Sequence, residues 1–274
     1  MRIIVIGANG MLGRYMSSYF KKYECILLMR KDLNALNNND IITAFLDSII
    51  KPGDIVINCV GILKPYIKKI GKTNTILINS VFPEIVSQSC IKNNAKMIHI
   101  SSDCVFDGLR GGYTEYDTAF ARDIYAQTKL IEPADALTIR TSFIGENTRD
   151  TNVGLLGWLM ENKNQTIKGY INCLWNGVTC LQLAKIIDSL IISNTINNQL
   201  KHVYSPTVIS KYELCCIVND IYNLNLKIIG HEAIMIEGTV IDGTLDRSLK
   251  SVVEPNIKIP DIRTQIDEQK KYKL

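Results

Sequence analysis

The chain has 274 residues, 46% of them apolar and 21% charged, with 31 Lys and Arg against 27 Asp and Glu. That balance excludes a disordered, collagen-like or coiled-coil chain and leaves one large or two modest globular domains. The net charge of +4 comes without a long basic run, so no nucleic-acid stripe is indicated. No apolar stretch reaches the roughly 20 residues of a membrane span.

Taken in order, Arg2–Ile6 reads as a buried strand, Gly7–Gly13 (GANGMLG) as a glycine-rich turn and Arg14–Lys22 as a helix. Cys25–Met29 is a second strand and Asp40–Ile50 has helical spacing. Pro52-Gly53-Asp54 precedes a third strand, Ile55–Cys59. Asn74–Asn93 is a long helix that tolerates Pro83, and Met97–Ser101 is the next strand. Asp123–Ile131 is helical and ends before Pro133, and Leu137–Thr141 is again a strand. This alternation predicts an α/β fold: a doubly wound parallel sheet, Rossmann-like, with a small C-terminal substrate lobe. Beyond it the pattern loosens. Helices are expected at Leu155–Asn162, Leu181–Ile192 and Lys211–Tyr222, with a short strand near His202–Tyr204. The charged tail Asp267–Leu274 is expected to be exposed or frayed. Residues 1–145 form the expected dinucleotide-binding lobe, and 146–274 mostly the substrate lobe, with some segments returning to the main sheet.

Eight cysteines occur without a CxxC pair, and Met1-Arg2 leads straight into a strand-like run. The expectation is reduced thiols in the cytoplasm, most of them packed as small hydrophobes. His99, His202 and His231 are scattered, so no metal site is expected.

Gly7, Gly10 and Gly13 stand between the first strand and the first helix. Gly7 permits the tight turn, Gly10 lets backbone approach a pyrophosphate, and Gly13 lets helix and strand pack closely. Asn9, Met11 and Leu12 belong to the same expected cofactor segment, whose N–H groups face the phosphates. Arg30 and Lys31 follow the second strand, where an NAD site usually has an acid. They favour NADPH, while Asp32 leaves NADH open. Asn58-Cys59-Val60-Gly61 ends the third strand with small residues that let it abut a cofactor. Tyr125 and Lys129 lie four apart on one helical face, so the ammonium is expected to lower the phenol pKa. Such a Tyr gives a proton to a carbonyl oxygen as hydride reaches its carbon. Ser101 and Ser102 end the strand upstream, where a hydroxyl can bond the same oxygen.

With these residues in place, the sequence resembles the extended short-chain dehydrogenase/reductases, and within them the dTDP-4-dehydrorhamnose reductase family. The matching segments are GANGMLG, NCVG, SSDCVFDG at Ser101–Gly108, GGYTEYD at Gly111–Asp117, YAQTK, RTSFIG at Arg140–Gly145 and WNGVT at Trp175–Thr179. The resemblance covers roughly residues 1–222. It implies reduction of a nucleotide-linked 4-keto-6-deoxyhexose by NAD(P)H. Ser102, Tyr125 and Lys129 are the implied catalytic residues, and Ser101, Tyr125 and Lys129 also meet the cofactor.

Cys104 departs from the tyrosine that many members carry there. A bifunctional 3,5-epimerase/4-reductase relative has Cys in that neighbourhood, but needs a His or Lys on a later helix, where this chain reads Gly154–Met160 without either. A branch of plain reductases acting on UDP-linked 2-acetamido-2,6-dideoxyhexos-4-uloses shares the DCVF form, so Cys104 is read as pocket wall. Asp103, Cys104, Val105, Phe106, Trp158 and Trp175 are the substrate-pocket candidates, with core packing the alternative for the aromatics. Arg140 is expected to meet either a phosphate or a structural carboxylate. The expected partners are a nucleotide-diphosphate sugar and a second copy of the chain, with no nucleic acid or membrane. A non-catalytic NADP-binding subunit, like the regulatory subunit of methionine adenosyltransferase, is the rival from another class.

Overall fold

The computed structural model describes residues 1–120, 123–146, 154–236, 239–240, 243–253 and 258–274. Its centre is a six-stranded sheet. Five strands come from the first half: β1 (Arg2–Ile6), β2 (Glu24–Leu28), β3 (Ile55–Asn58), β4 (Lys96–Ile100) and β5 (Leu137–Arg140). The sixth, Leu200–His202, joins from the second half. The order is β2-β1-β3-β4-β5-(200–202), and every pairing is parallel. Strand β1 shows why both faces are covered. Ile3 and Val5 pack against α1 (Met11–Tyr19) and the helix Cys180–Ile192, while Ile4 and Ile6 pack against α2 (Asn39–Ile49) and the helix Phe82–Lys92. A continuous β-branched run is what a strand buried on two faces requires. The chain builds outward from β1 in both directions. The reversal between β1 and β3 therefore opens a crevice at the carboxyl ends of these strands, where such sheets hold ligands.

The long helix expected over residues 74–93 is interrupted. Leu77–Val81 forms a π turn, in which the Phe82 N–H reaches back to the Leu77 carbonyl. Pro83 has no N–H and its ring would crowd the carbonyl four residues before it, so the widened turn absorbs the conflict.

The second lobe has its own core, in which Trp175, Leu156, Leu159, Leu214 and Val218 meet Ile262 and Ile266. Short strands Thr166–Tyr170 and Lys227–His231 pair in parallel beside it. The tail is not frayed. Ile262–Lys271 is a helix whose Ile262, Gln265, Ile266 and Gln269 are buried. Gln265 Oε1 accepts the Thr179 N–H at 3.1 Å and Gln269 Oε1 accepts the Leu181 N–H at 3.2 Å. Two glutamines thus satisfy donors at the start of the 180–192 helix, which otherwise have no partner in their own helix. The charge that made the tail look solvated lies on the outer face. All eight cysteines are free thiols. No helix among the described residues is long and apolar enough to cross a membrane.

Docking of the last helix gives a stability prediction. Ile266 is 1% exposed. Ile266→Ala should lower the unfolding free energy by about 2–5 kcal/mol, read from urea denaturation. A cost well under about 1 kcal/mol would mean the helix is not part of the folded core.

Candidate active site

The glycine turn is built for close approach. Gly7 has φ +81°, and a Cβ on Gly13 would sit 2.0 Å from the Gly7 carbonyl oxygen. Only hydrogen fits at residue 13, so α1 starts pressed against the end of β1. Gly10 is the N-cap of α1, and no side chain caps that helix. Its first N–H groups therefore remain available to an anion. Asn9 is exposed on this turn, Met11 lines the cleft below it, and the Leu12 side chain enters the core.

Past β2, Arg30 and Lys31 are exposed. Asp32 is turned back on its own loop, its carboxylate accepting the Met29 N–H at 2.9 Å. At the end of β3, the Asn58 side chain also turns inward. Its Oδ1 accepts the Val60 N–H at 3.0 Å and its Nδ2 lies 3.3 Å from His99 Nδ1. Asn58 thus shapes the loop, while Val60 packs beside Gly7. Burial pushes the Cys59 thiol up to about 12.

Ser102, Tyr125 and Lys129 come together at the carboxyl edge of β4, and all three are buried. Tyr125 and Lys129 ride on Ile124–Leu130, a helix of seven residues. A helix this short needs tertiary support, and it has several bonds of it. Ser101 Oγ donates to the Lys129 carbonyl at 2.9 Å, and Ser80 Oγ to the Thr128 carbonyl at 2.8 Å. Asn79 Nδ2 donates to Thr128 Oγ1 at 3.1 Å, and Asn79 Oδ1 accepts the Ile62 N–H at 2.7 Å. Asp123 caps the other end through the Ala126 N–H at 2.9 Å.

The electrostatics differ from the sequence expectation. Burial raises the Tyr125 phenol pKa, the Cys104, Asp103 and Asp123 acids raise it further, and the Ser102 hydroxyl pulls it back. Lys129 does not dominate the phenol; its Nζ donates to the Ile100 carbonyl at 3.1 Å. Burial lowers the Lys129 pKa to about 8, against Glu132 and Cys59, which raise it. Tyr125 is consequently a protonated phenol at neutral pH, the state a proton donor needs.

A cleft of about 270 Å³ lined by Ser102, Tyr125, Met11 and Gly154 adjoins a cavity of about 760 Å³ reaching into the second lobe. Lys64, Asp103, Cys104 and Ser142 line both. Trp158 and Trp175 line the larger one; Trp158 is 39% exposed, while Trp175 is buried and donates through Nε1 to Ser142 Oγ at 2.8 Å. Val105 and Phe106 do not reach it; both pack with Tyr113 and Leu249. Of the two partners expected for Arg140, the structure shows the structural carboxylate. Arg140 makes two 2.8 Å bonds to Glu132 and lies over the Phe106 ring. The larger cavity also carries Lys168, Lys211 and Arg247, which sequence reasoning missed. They come from separate segments of the second lobe and share no spacing that would have joined them. Lys211 stands over the Trp175 ring at 4.7 Å, and burial lowers its pKa. Burial likewise pushes the Cys104 thiol up to about 11 and raises the Asp103 carboxyl.

The buried Lys129 predicts a pH-dependent stability. Below about 8, folded and unfolded chains both hold the proton, and the fold bears the cost of burying it. Between that value and the ordinary lysine value of 10.5, the unfolded chain keeps the proton while the folded chain has lost it, so stability rises with pH. From about pH 7 to about pH 9 the wild type should gain about 1 kcal/mol relative to Lys129→Met. Urea unfolding of both proteins at the two pH values checks this, and parallel behaviour would show that Lys129 titrates as in water.

The chain is similar to several known proteins. The chain is 23% identical over 239 residues to the dTDP-4-dehydrorhamnose reductase of Aggregatibacter actinomycetemcomitans, covering 80% of this chain and 78% of that protein. It is 28% identical over 158 residues to the dTDP-4-dehydrorhamnose reductase of Mycobacterium tuberculosis (strain CDC 1551 / Oshkosh), covering 52% of this chain and 50% of that one. A third relative is the methionine adenosyltransferase 2 subunit beta of Xenopus laevis, 29% identical over 137 residues, with 47% of this chain and 40% of the relative covered. Among solved structures, the dTDP-4-dehydrorhamnose reductase of Bacillus anthracis in complex with NADP superposes with a TM-score of 0.80 at 18% identity, covering 98% of each chain. The family model for the RmlD substrate binding domain matches residues 1–164, which take in the glycine turn, Ser102, Tyr125 and Lys129, and the chain belongs to that family.

Proposed function

We propose that the protein reduces the C4 keto group of a nucleotide-linked 6-deoxyhexos-4-ulose with NADPH. The observation that carries the reading is the meeting of Ser102, Tyr125 and Lys129 beside a cavity walled by Lys64, Lys168, Lys211 and Arg247. A carbonyl-reducing triad opens into a space suited to a diphosphate-bearing substrate. The relatives named as dTDP-4-dehydrorhamnose reductases support the same chemistry.

The cofactor fits the residues present. A Cβ on Gly10 would crowd the Gly7 carbonyl oxygen at 3.3 Å and one on Gly13 would strike it at 2.0 Å, so the turn can stay this tight only with glycine, and α1 has no side-chain cap. Its first N–H groups would hold the pyrophosphate, Arg30 the 2′-phosphate, and Lys129 the nicotinamide ribose. Bound NADPH supplies the hydride. Ser102 then orients the carbonyl oxygen, and Tyr125 gives that oxygen its proton. The Cys104 thiol, held protonated by burial, suits the pocket wall better than a base that would epimerise C3 or C5. Asp103, Trp158 and Trp175 complete that wall around the sugar and its nucleotide.

A panel of 4-keto-6-deoxy nucleotide sugars, dTDP- and UDP-linked, assayed for NADPH oxidation tests the reading. Tyr125→Phe should lower kcat by about 10²–10⁴-fold while the NADPH Kd stays within a few-fold. Near-wild-type turnover in that variant would remove Tyr125 as the acid. Arg30→Ala should weaken NADPH by about ten- to a hundredfold and spare NADH, as measured by fluorescence titration. Equal effects on the two cofactors would defeat the 2′-phosphate assignment. The relative named as a methionine adenosyltransferase subunit keeps a second reading open, that of a cofactor-binding partner subunit. Absence of ketosugar turnover together with a stoichiometric enzyme partner would favour it.

A further inference from the structure

Lys64 opens the helix Lys64–Ile70, directly after the loop that leaves β3, and faces both the small cleft and the larger cavity. Its Nζ is 2.9 Å from Asp123 Oδ2 and 5.9 Å from the centre of the Tyr125 ring. The other carboxylate oxygen of Asp123 accepts the Ala126 N–H. One carboxylate therefore fixes both the Lys64 ammonium and the first turn of the helix that carries Tyr125. The pair is partly shielded, with side-chain exposures of 17% and 27%.

The surroundings of the phenol give this ammonium something to do. Asp103 and Cys104 approach from the segment after β4, and Asp123 from the phenol's own helix; all three make a negative charge on Tyr125 costlier. Ser102 offers a neutral hydroxyl. Lys129, one turn along the same helix, sets its Nζ against the Ile100 carbonyl at 3.1 Å. Arg247 approaches from the second lobe, but it is bonded to the Phe106 carbonyl at 3.0 Å and lies 4.0 Å from Cys104 Sγ. Lys64 is the cation that stands over the Tyr125 ring.

We propose that Lys64 is a positioning residue for proton transfer at Tyr125: anchored by Asp123, its ammonium faces the phenol from the cavity side and stabilises the negative charge left there. In that step the phenol O–H bond breaks and its proton passes to the substrate carbonyl oxygen, whose carbon receives hydride from the nicotinamide cofactor. The electron pair of the broken bond stays on the Tyr125 oxygen. The proposal rests on the reductase reading for the direction of this transfer. Its electrostatic content can be measured without substrate.

The test places a fluorinated tyrosine, whose phenol is more acidic, at position 125 of the full chain and follows its titration by ¹⁹F NMR. Lys64→Met and Lys64→Gln should each raise the midpoint by about one pH unit, since an opposite charge within a few ångströms has that leverage. Lys64→Gln keeps a polar contact to Asp123 and stands in should the Met variant not fold. Lys64→Arg should restore the wild-type midpoint. With the natural tyrosine, Lys64→Met should lower kcat for ketosugar reduction about tenfold at little change in KM. An unmoved midpoint in both uncharged variants, or an arginine variant that titrates like them, would overturn the proposal. If the wild type turns over no ketosugar, the reductase reading fails, and the NMR midpoints still decide whether Lys64 acts on the phenol.

Discussion

The site depends on holding one ammonium in an interior that pushes it toward neutrality. Lys129 is 5% exposed, and burial brings its pKa down to about 8. Solvation lost in this way must be replaced by fixed dipoles, and the Ile100 carbonyl at the end of β4 provides one. On the other side, Gly61 leaves room for the amine: a Cβ there would stand 3.1 Å from Lys129 Nζ. The end of β3, the end of β4 and the seven-residue helix are thereby fitted to each other around a single nitrogen. The segment after β4 and the helix also line the small cleft, through Ser101, Ser102 and Tyr125, so the arrangement that tolerates the buried charge also sets these side chains side by side.

The helix carrying Tyr125 is held from behind by a distortion. The π turn at Leu77–Val81 widens the helix just before Pro83. Its Asn79 and Ser80 are consecutive, and both bond to Thr128. Thr128 Oγ1 in turn donates to the Tyr125 carbonyl at 2.8 Å. π turns are uncommon and gather near functional sites. Here the local reason is the proline and the consequence is a polar bracket under the helix that carries Tyr125. Asn79 is fully buried with three hydrogen bonds, to the Ile62 N–H, the Ile62 carbonyl and Thr128 Oγ1. It therefore also ties this bracket to the loop beyond Gly61.

What could be read from the sequence was local. The glycine turn is a strand–turn–helix pattern within a dozen residues, and Tyr125 and Lys129 are one helical turn apart; each spacing is common alone, and their order along the chain with the strand-end serines is what singles them out. Tertiary facts were not visible. The direction of the Tyr125 pKa depends on burial and on where Lys129 points, and the i to i+4 spacing speaks only to proximity. Lys64, Lys211 and Arg247 lie on separate segments and line one cavity only in the folded chain, and Asn79 likewise reaches Thr128 only there. Arg140 at its strand end was open between a phosphate and a structural carboxylate, and only the fold shows Glu132 to be that carboxylate, bonded through Nε and Nη2. The last helix was hidden because glutamines, rather than aliphatic residues, make half of its buried contact.

Charge in the cavity links recognition to stability. Lys211 is pushed toward neutrality by burial, and Asp103 is the acid that draws it back. Asp103 is itself raised by burial and stabilised by Arg247 and Lys211. Two cations thus share one buried carboxylate, so the wall carries positive charge that its own residues compensate incompletely. A dianionic group entering this space gains from charges that solvent screens poorly, and it returns Lys211 toward its ordinary pKa. A ligand held there by the folded chain alone would stabilise the fold by mass action. The lobe that supplies Lys168, Lys211 and Arg247 is also the one that the C-terminal helix fastens to the main sheet.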